Sequence, residues 1–377
     1  MKVLIFMCGE GLGHTTRCQS VGMELEKEGH EFRFASYGYS KEHLEKAGYD
    51  VAEAPSEITL VGKGGALDLG GSVGQTLRQT KLYKFPSVIS LVKKEKPDVV
   101  LCDSYYIAAI SAKMQKIPCA MILNQTKMDL FFQNRGIELQ VIGKMVKGFS
   151  EQVFNSMDKI IIPDFPPPNT VCAKSLEFSL KMAPKVEYTG PLVRRDYHQT
   201  IAKEKSHPYI FSMIGGFGYR EKLLHNIIEA ANSTPDSNYT LITGPNSDPE
   251  HFKEKTKGNV EIIPYLEDVF PYLKAADVVI APGGHSTMME CVNFGKPILS
   301  VPDMDHSEQE NNAQMLEELK LGFRLGYDTK PEEIVDYIDR CRTSDDIQKK
   351  CAELRQISKE LNGRSHAVKI LEDLASK

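Results

Sequence analysis

No stretch of the 377-residue chain stays apolar for the roughly 20 residues that a membrane-spanning helix needs. The net charge is only −5, so the chain lacks the basic surplus that points to nucleic acid. The eight cysteines are scattered and form no C-x-x-C pair. Cys8, Cys102 and Cys119 lie in or beside strand-like apolar runs, which predicts reduced core thiols in a cytoplasmic protein. There is no P-loop and no H-E-x-x-H, and Gly284-His285-Ser286-Thr287-Met288 is not G-x-S-x-G. Val3 to Met7 is apolar, but Gly9-Glu10-Gly11 follows at once. That run is too short for a signal peptide and reads as a first strand. The remaining composition, 41% hydrophobic and 26% charged, is that of a globular protein, and the length predicts two domains.

The most informative stretch runs from Asp277 to Ala313. Val278 to Ala281 is a short β-branched run, expected as a buried strand. Pro282-Gly283-Gly284 breaks it, His285 to Asn293 reads as a helix, and Gly295-Lys296-Pro297 ends that helix. Ile298 to Val301 is the next strand. A strand, a glycine turn and a helix place backbone N–H groups and a positive helix end together, which suits an anion. His285, Ser286 and Thr287 add side-chain donors. Glu290, one turn after Ser286, can grip two ribose hydroxyls. A plain βαβ turn would use the same glycines for packing alone. The following segment, Asp303 to Asn312, is almost entirely polar and reads as a ligand-side loop at a strand's carboxyl end.

The segment PGGHSTMMECVNFGKPILSVPDMDHSEQENNAQML resembles the donor-binding segment of GT-B glycosyltransferases, most closely the MurG-like family with its family 28 type C-terminal domain. The resemblance implies an α/β fold of two Rossmann-like domains facing a cleft. It places the diphosphate on Gly283, Gly284, His285, Ser286 and Thr287 and the ribose on Glu290. Glu308 and Gln309 would meet the sugar hydroxyls. Asp303-Met304-Asp305 has D-x-D spacing but falls on the sugar-facing loop, so no metal ligands and no cofactor beyond the UDP-sugar donor are expected.

The amino-terminal half alternates short apolar runs, Val3–Met7, Phe32–Ser36, Val99–Cys102, Cys119–Leu123 and Ile160–Pro163, with helical segments such as Thr15–Glu28 and Ser87–Lys94. That pattern predicts a doubly wound parallel sheet. Ile58 to Gly74 is glycine-rich with little periodicity and reads as a loop. The first glycine loop, Gly9-Glu10-Gly11-Leu12-Gly13-His14, has G-x-G-x-G spacing rather than G-x-G-x-x-G. The second strand ends Ala35-Ser36-Tyr37 without the acidic residue that would hold a dinucleotide ribose. Gly13 is counted with the donor-binding residues. The resemblance aligns His14 with a cleft-facing histidine, where a neutral imidazole could take the acceptor proton; it could instead cap the helix or bind a phosphate. Asp103, after its strand, could orient that ring, as in the plant-type transferases. It could equally cap the helix starting near Tyr105. In Gly136–Phe154, the stripe of Ile142, Met145, Val146 and Phe149 is expected to face a core. The lipid-linked acceptors of MurG-like enzymes add the alternative of a peripheral contact at the inner membrane face.

In the second half Tyr209–Met213, Tyr239–Thr243 and Val260–Ile263 read as strands, and helices are expected to fill the chain after Ala313. The resemblance adds Gly215 and Gly216 beside the diphosphate, and Tyr265 and Leu266 at the base. The expected domains are residues 1–193 on the acceptor side, joined by the terminal helix 364–377, and residues 194–363 for the donor. The resulting expectation is a hexosyltransferase moving glucose, galactose or an N-acetylhexosamine from a UDP-sugar to a hydroxyl, with inversion. A UDP-sugar 2-epimerase on the same fold and a non-catalytic sugar-nucleotide-binding subunit are the alternatives.

Overall fold

A computed structural model describes residues 1–57, 61–63, 66–79, 85–133, 135–215, 220–244 and 248–377. The chain forms two compact units. The first holds Met1–Val61, Leu67–Arg194 and Leu361–Lys377, and the second holds Gly62–Ala66 and Arg195–Glu360.

In the first unit the leading strands are β1 (Lys2–Met7), β2 (Glu31–Ser36) and β3 (Val51–Glu53); the short strands β4 (Gly62–Lys63), in the stretch that belongs to the second unit, and β5 (Ala66–Leu67) come next in the chain. Then come β6 (Val99–Asp103), β7 (Cys119–Ile122), β8 (Lys159–Ile162) and β9 (Val186–Tyr188). The helices are α1 (Leu12–Lys27), α2 (Gly38–Lys46), α3 (Leu69–Gln79), α4 (Phe85–Glu95), α5 (Tyr106–Met114) and α6 (Ile137–Ser156). Seven strands form a parallel sheet in the order β3-β2-β1-β6-β7-β8-β9. β1 is apolar at successive positions because both faces are covered. Leu4 and Phe6 enter one core cluster, while Val3, Ile5 and Met7 enter the other. The second cluster is completed by α14 (Gly363–Ala375), whose Ala367, Val368, Leu371 and Leu374 pack with Cys18, Val21 and Leu25 of α1.

The second unit contains β10 (Tyr209–Ser212), β11 (Asn238–Ile242), β12 (Val260–Ile263), β13 (Val278–Pro282), β14 (Ile298–Val301) and β15 (Gly322–Arg324). Its helices are α7 (Glu221–Ser233), α8 (Pro249–Lys253), α9 (Phe270–Ala275), α10 (His285–Asn293), α11 (Ser307–Glu318), α12 (Pro331–Thr343) and α13 (Asp345–Leu361). The six strands run parallel in the order β12-β11-β10-β13-β14-β15. The strand order reverses at β1/β6 in one sheet and at β10/β13 in the other. Parallel sheets open a ligand crevice at such points, beyond the strands' carboxyl ends.

Four expectations are corrected. Leu69–Gln79 is a helix, so the supposed loop ends before it. The polar stretch after Pro302 becomes helical at Ser307. His306 caps that helix, its ring accepting from Gln309 N–H, and Glu308 and Glu310 lie in the first turn, where carboxylates oppose the helix dipole. Gly322–Arg324 is a strand rather than helix. It is recognisable only through its pairing with β14, where a side chain on Gly322 would strike the Ile298 carbonyl. On α6, Met145 and Phe149 are exposed, on one stripe with Ile137 and Val141. The inward face of α6 is built instead from Gly143, Ser150, Val153 and Phe154. Gly143 lets the helix close onto Phe132, since a Cβ there would lie 2.6 Å from the Phe132 Cβ. Among the described residues no helix is long and apolar enough to cross a membrane.

Candidate active site

The first unit's switch point carries a buried charge cluster. β1 ends at Met7, in register with Asp103 at the end of β6. A side chain on Gly9 would meet the Tyr37 carbonyl at 2.4 Å, and Gly11 turns the chain at φ 93° before α1 starts at Leu12. His14 therefore lies inside the first turn of α1 rather than capping it. Its Nδ1 is 2.7 Å from Asp103 Oδ1. Three residues on, on the same helix face, Arg17 donates Nε–H to Asp103 Oδ2 at 3.0 Å and an Nη2–H to Oδ1 at 2.9 Å. Asp103 is fully buried. Burial alone would raise its pKa, but the Arg17 charge and the His14 contact outweigh it and hold the carboxyl at about 2.

Asp103 does not cap α5. That place is taken by Glu57, which accepts the Tyr106 N–H at 2.8 Å and also that of Ile107. Burial pushes the Glu57 carboxyl up to about 8, outweighing the two amide bonds that favour its anion.

In the second unit, β13 leads through Gly283 and Gly284 into α10. Gly283 has no room for a side chain: a Cβ would lie 2.9 Å from Pro302 Cα and 3.0 Å from Gln309 Cβ. Gly284, the N-cap of α10, faces open space, with nothing within 4 Å of a Cβ built on it. His285, Ser286 and Thr287 form the first turn of α10, at the positive end of the helix. His285 and Glu290 are buried, and Ser286 and Thr287 are half-buried. Gly215 leaves β10 with φ 66°, while Gly216 lies outside the described residues. Tyr265, just past β12, is 60% exposed and next to half-buried Leu266.

Asp303 ties these loops together. It accepts from Arg220 at the start of α7, from Tyr327 Oη at 3.2 Å and from Gln309 Nε2 at 3.1 Å. The Asp303 N–H donates back to Gln309 Oε1 at 2.8 Å. Asn312, fully buried, donates to the Gly283 carbonyl and to Glu308 Oε1. Gln309 is thus held by Asp303 in the loop after β14, and Glu308 by Asn312 of its own helix, which also reaches the turn after β13. Arg17 and Arg220 were not singled out in the sequence, and Asp303 was weighed there only for its D-x-D spacing with Asp305. Arg17 had a local signal, its i,i+3 spacing from His14.

The profile of the Glycosyltransferase family 28 C-terminal domain matches residues 215–366, and that of Glycosyl transferase family 1 matches residues 1–180. An uncharacterized glycosyltransferase of Methanosarcina acetivorans is 48% identical, covering 99% of this chain and 98% of its own. A UDP-N-acetylglucosamine--N-acetylmuramyl-(pentapeptide) pyrophosphoryl-undecaprenol N-acetylglucosamine transferase of Caldicellulosiruptor saccharolyticus is 24% identical, over 63% of this chain and 62% of its own. The calicheamicin glycosyltransferase CalG4 superposes over 100% of this chain and 98% of its own, with a TM-score of 0.73 at 16% identity. The chain belongs to the glycosyltransferases and has the GT-B fold.

Proposed function

We propose that the enzyme moves a hexose from a UDP-sugar to an acceptor hydroxyl, with inversion and with no metal in the reaction. The observation that carries this reading is the 2.7 Å contact between His14 Nδ1 and Asp103. It fixes the ring through Nδ1 and leaves Nε2 to take the acceptor proton. As the proton moves to Nε2, the acceptor oxygen attacks the anomeric carbon from the side opposite the diphosphate. The bond from that carbon to the diphosphate oxygen breaks, and UDP leaves with the electron pair. Backbone N–H groups at the start of α10, with Ser286 and Thr287, would stabilise the departing charge electrostatically. Glu290 would hold the ribose, Glu308 and Gln309 the sugar, and Tyr265 and Leu266 the base. Gly13, Gly215 and Gly216 would let backbone approach the donor.

The Caldicellulosiruptor relative's name makes UDP-N-acetylglucosamine the first donor to try and a lipid-linked diphosphate the first acceptor class. The exposed stripe of Ile137, Val141, Met145 and Phe149 supports a cytoplasmic enzyme working at a membrane face. The test is UDP release from UDP-GlcNAc, UDP-glucose and UDP-galactose over an acceptor panel. His14→Ala should lower turnover by about 10²- to 10⁴-fold with the donor Kd unchanged. Unchanged turnover in His14→Ala would remove the base role, and donor binding without turnover in either form would favour a binding subunit. Donor consumption without UDP release would favour the epimerase.

A further inference from the structure

The second unit carries a second, independent constellation. Glu221 and His225 lie one turn apart on α7, and His251 reaches them from α8. Glu221 Oε1 is 3.6 Å from His225 Nε2 and 3.3 Å from His251 Nε2. One ligand atom from each of the three residues falls within 4.8 Å of the other two. Charge-assisted N–H···O bonds run at about 2.7–2.9 Å, so both separations are long for ion pairs. A tetrahedral zinc with bonds of about 2.0–2.1 Å has ligand–ligand edges of about 3.4 Å, close to the two separations of Glu221 from the histidines. The two imidazoles are also oriented. Both pack on the buried Phe252, with ring centroids at 5.2 and 5.3 Å. Phe252 belongs to the same core cluster as Leu223, Leu224, Ile227 and Ile228 of α7, so the two helices that carry the ligands share one support.

We propose that Glu221, His225 and His251 bind a divalent metal of the zinc class, with water as fourth ligand, stapling α8 to the first turns of α7. Two imidazoles and one carboxylate without thiolate suit zinc among the common biological cations. The exposed Lys255 Nζ lies 3.4 Å from His225 Nε2 and is the competing cation that must swing away. The site lies on the sheet face covered by α7, α8 and α12. Phe211, pointing to the other face, stacks on Tyr272 of α9, and Phe294 at the end of α10 packs on Phe270. The metal therefore braces the unit from the face opposite α10 and takes no part in the transfer chemistry.

The full-length chain, stripped with EDTA and desalted, is titrated calorimetrically with ZnCl2, and its Tm is read with and without the ion. One zinc per chain with a rise in Tm is expected. His225→Gln and His251→Gln should each weaken binding by roughly tenfold or more, while Lys255→Met tightens it. Cobalt should give the intense visible bands of tetrahedral coordination in the wild type and lose them in both histidine variants. His30→Gln, in a second group with Glu28 and Glu372 in the first unit, should change nothing. Circular dichroism of the metal-free variants checks that they fold. No saturable binding, binding that survives His251→Gln, or binding lost in His30→Gln would overturn the proposal. Donor turnover is not part of this readout, so the metal site and the transferase mechanism can fail separately.

Discussion

Arg17→Met removes the guanidinium that clasps Asp103. The Arg17 side chain is 4% exposed and the Asp103 side chain 0%, so solvent cannot replace the lost bonds. The Asp103 carboxyl lies at about 2 in the folded protein, below its ordinary value of 3.8. A lowered acid pKa contributes stability that is present above about 3.8 and is lost as pH falls through about 2. At 1.36 kcal/mol per pH unit that gap is worth about 2 kcal/mol at neutral pH. In the variant the buried carboxylate keeps the His14 contact and the Cys18 thiol at 3.9 Å, and stripping the charged partner from a buried ion pair costs about 3–5 kcal/mol. Urea unfolding should show that loss at pH 7, shrinking as pH falls toward 4 and Asp103 takes up a proton in the variant. Wild-type stability at pH 7, or a deficit that does not shrink on acidification, would refute the reading of Asp103 as an ionised group neutralised by Arg17.

Other expectations rest on different parts of the molecule. The Glu57 carboxyl, raised to about 8 from 4.5, contributes stability that is complete below about 4.5 and lost as pH rises through about 8. Tm measured from pH 6 to 9 should fall more steeply in the wild type than in Glu57→Gln. Glu290→Ala should weaken UDP-sugar binding by about 1.5–3 kcal/mol, read by calorimetry, as expected for loss of hydrogen bonds to a charged group. Asp303→Ala should weaken the same binding by loosening Arg220, Gln309 and Tyr327 together, and wild-type affinity would show that these loops need no such tie. Met145→Glu should reduce sedimentation with anionic phospholipid vesicles and leave Tm unchanged, because Met145 is 70% exposed.

The parallel-sheet architecture was readable because its strands are short apolar runs punctuated by glycine and proline. Val260–Ile263, Ile298–Val301 and the helix His285–Asn293 keep the limits that periodicity assigns them. Elements failed where the local signal is weak. The helix α2, GYSKEHLEK, buries only Ser40 and Leu44 and carries almost no apolar stripe. The polar start of α11 looks like loop because its stability comes from capping and first-turn acids rather than from burial. The α6 stripe misled because apolar spacing on a helix does not say which face the protein covers. The small residues Gly143 and Ser150 decided that.

By itself the sequence determined the strands, the glycine turns and the helix that opens beyond Gly284, because these depend on neighbours a few residues apart. Only the tertiary structure decided which side chains meet. His14 and Asp103 are 89 residues apart in the chain, and Arg220 and Asp303 are 83 apart. Each pair is brought together because parallel strands deliver their carboxyl ends to one edge of a sheet. The i,i+3 spacing from His14 does not give Arg17 a role, yet it becomes the counter-charge of a buried carboxylate once β1 and β6 lie side by side. Local periodicity encodes the elements, and the long-range register between strands assembles the site.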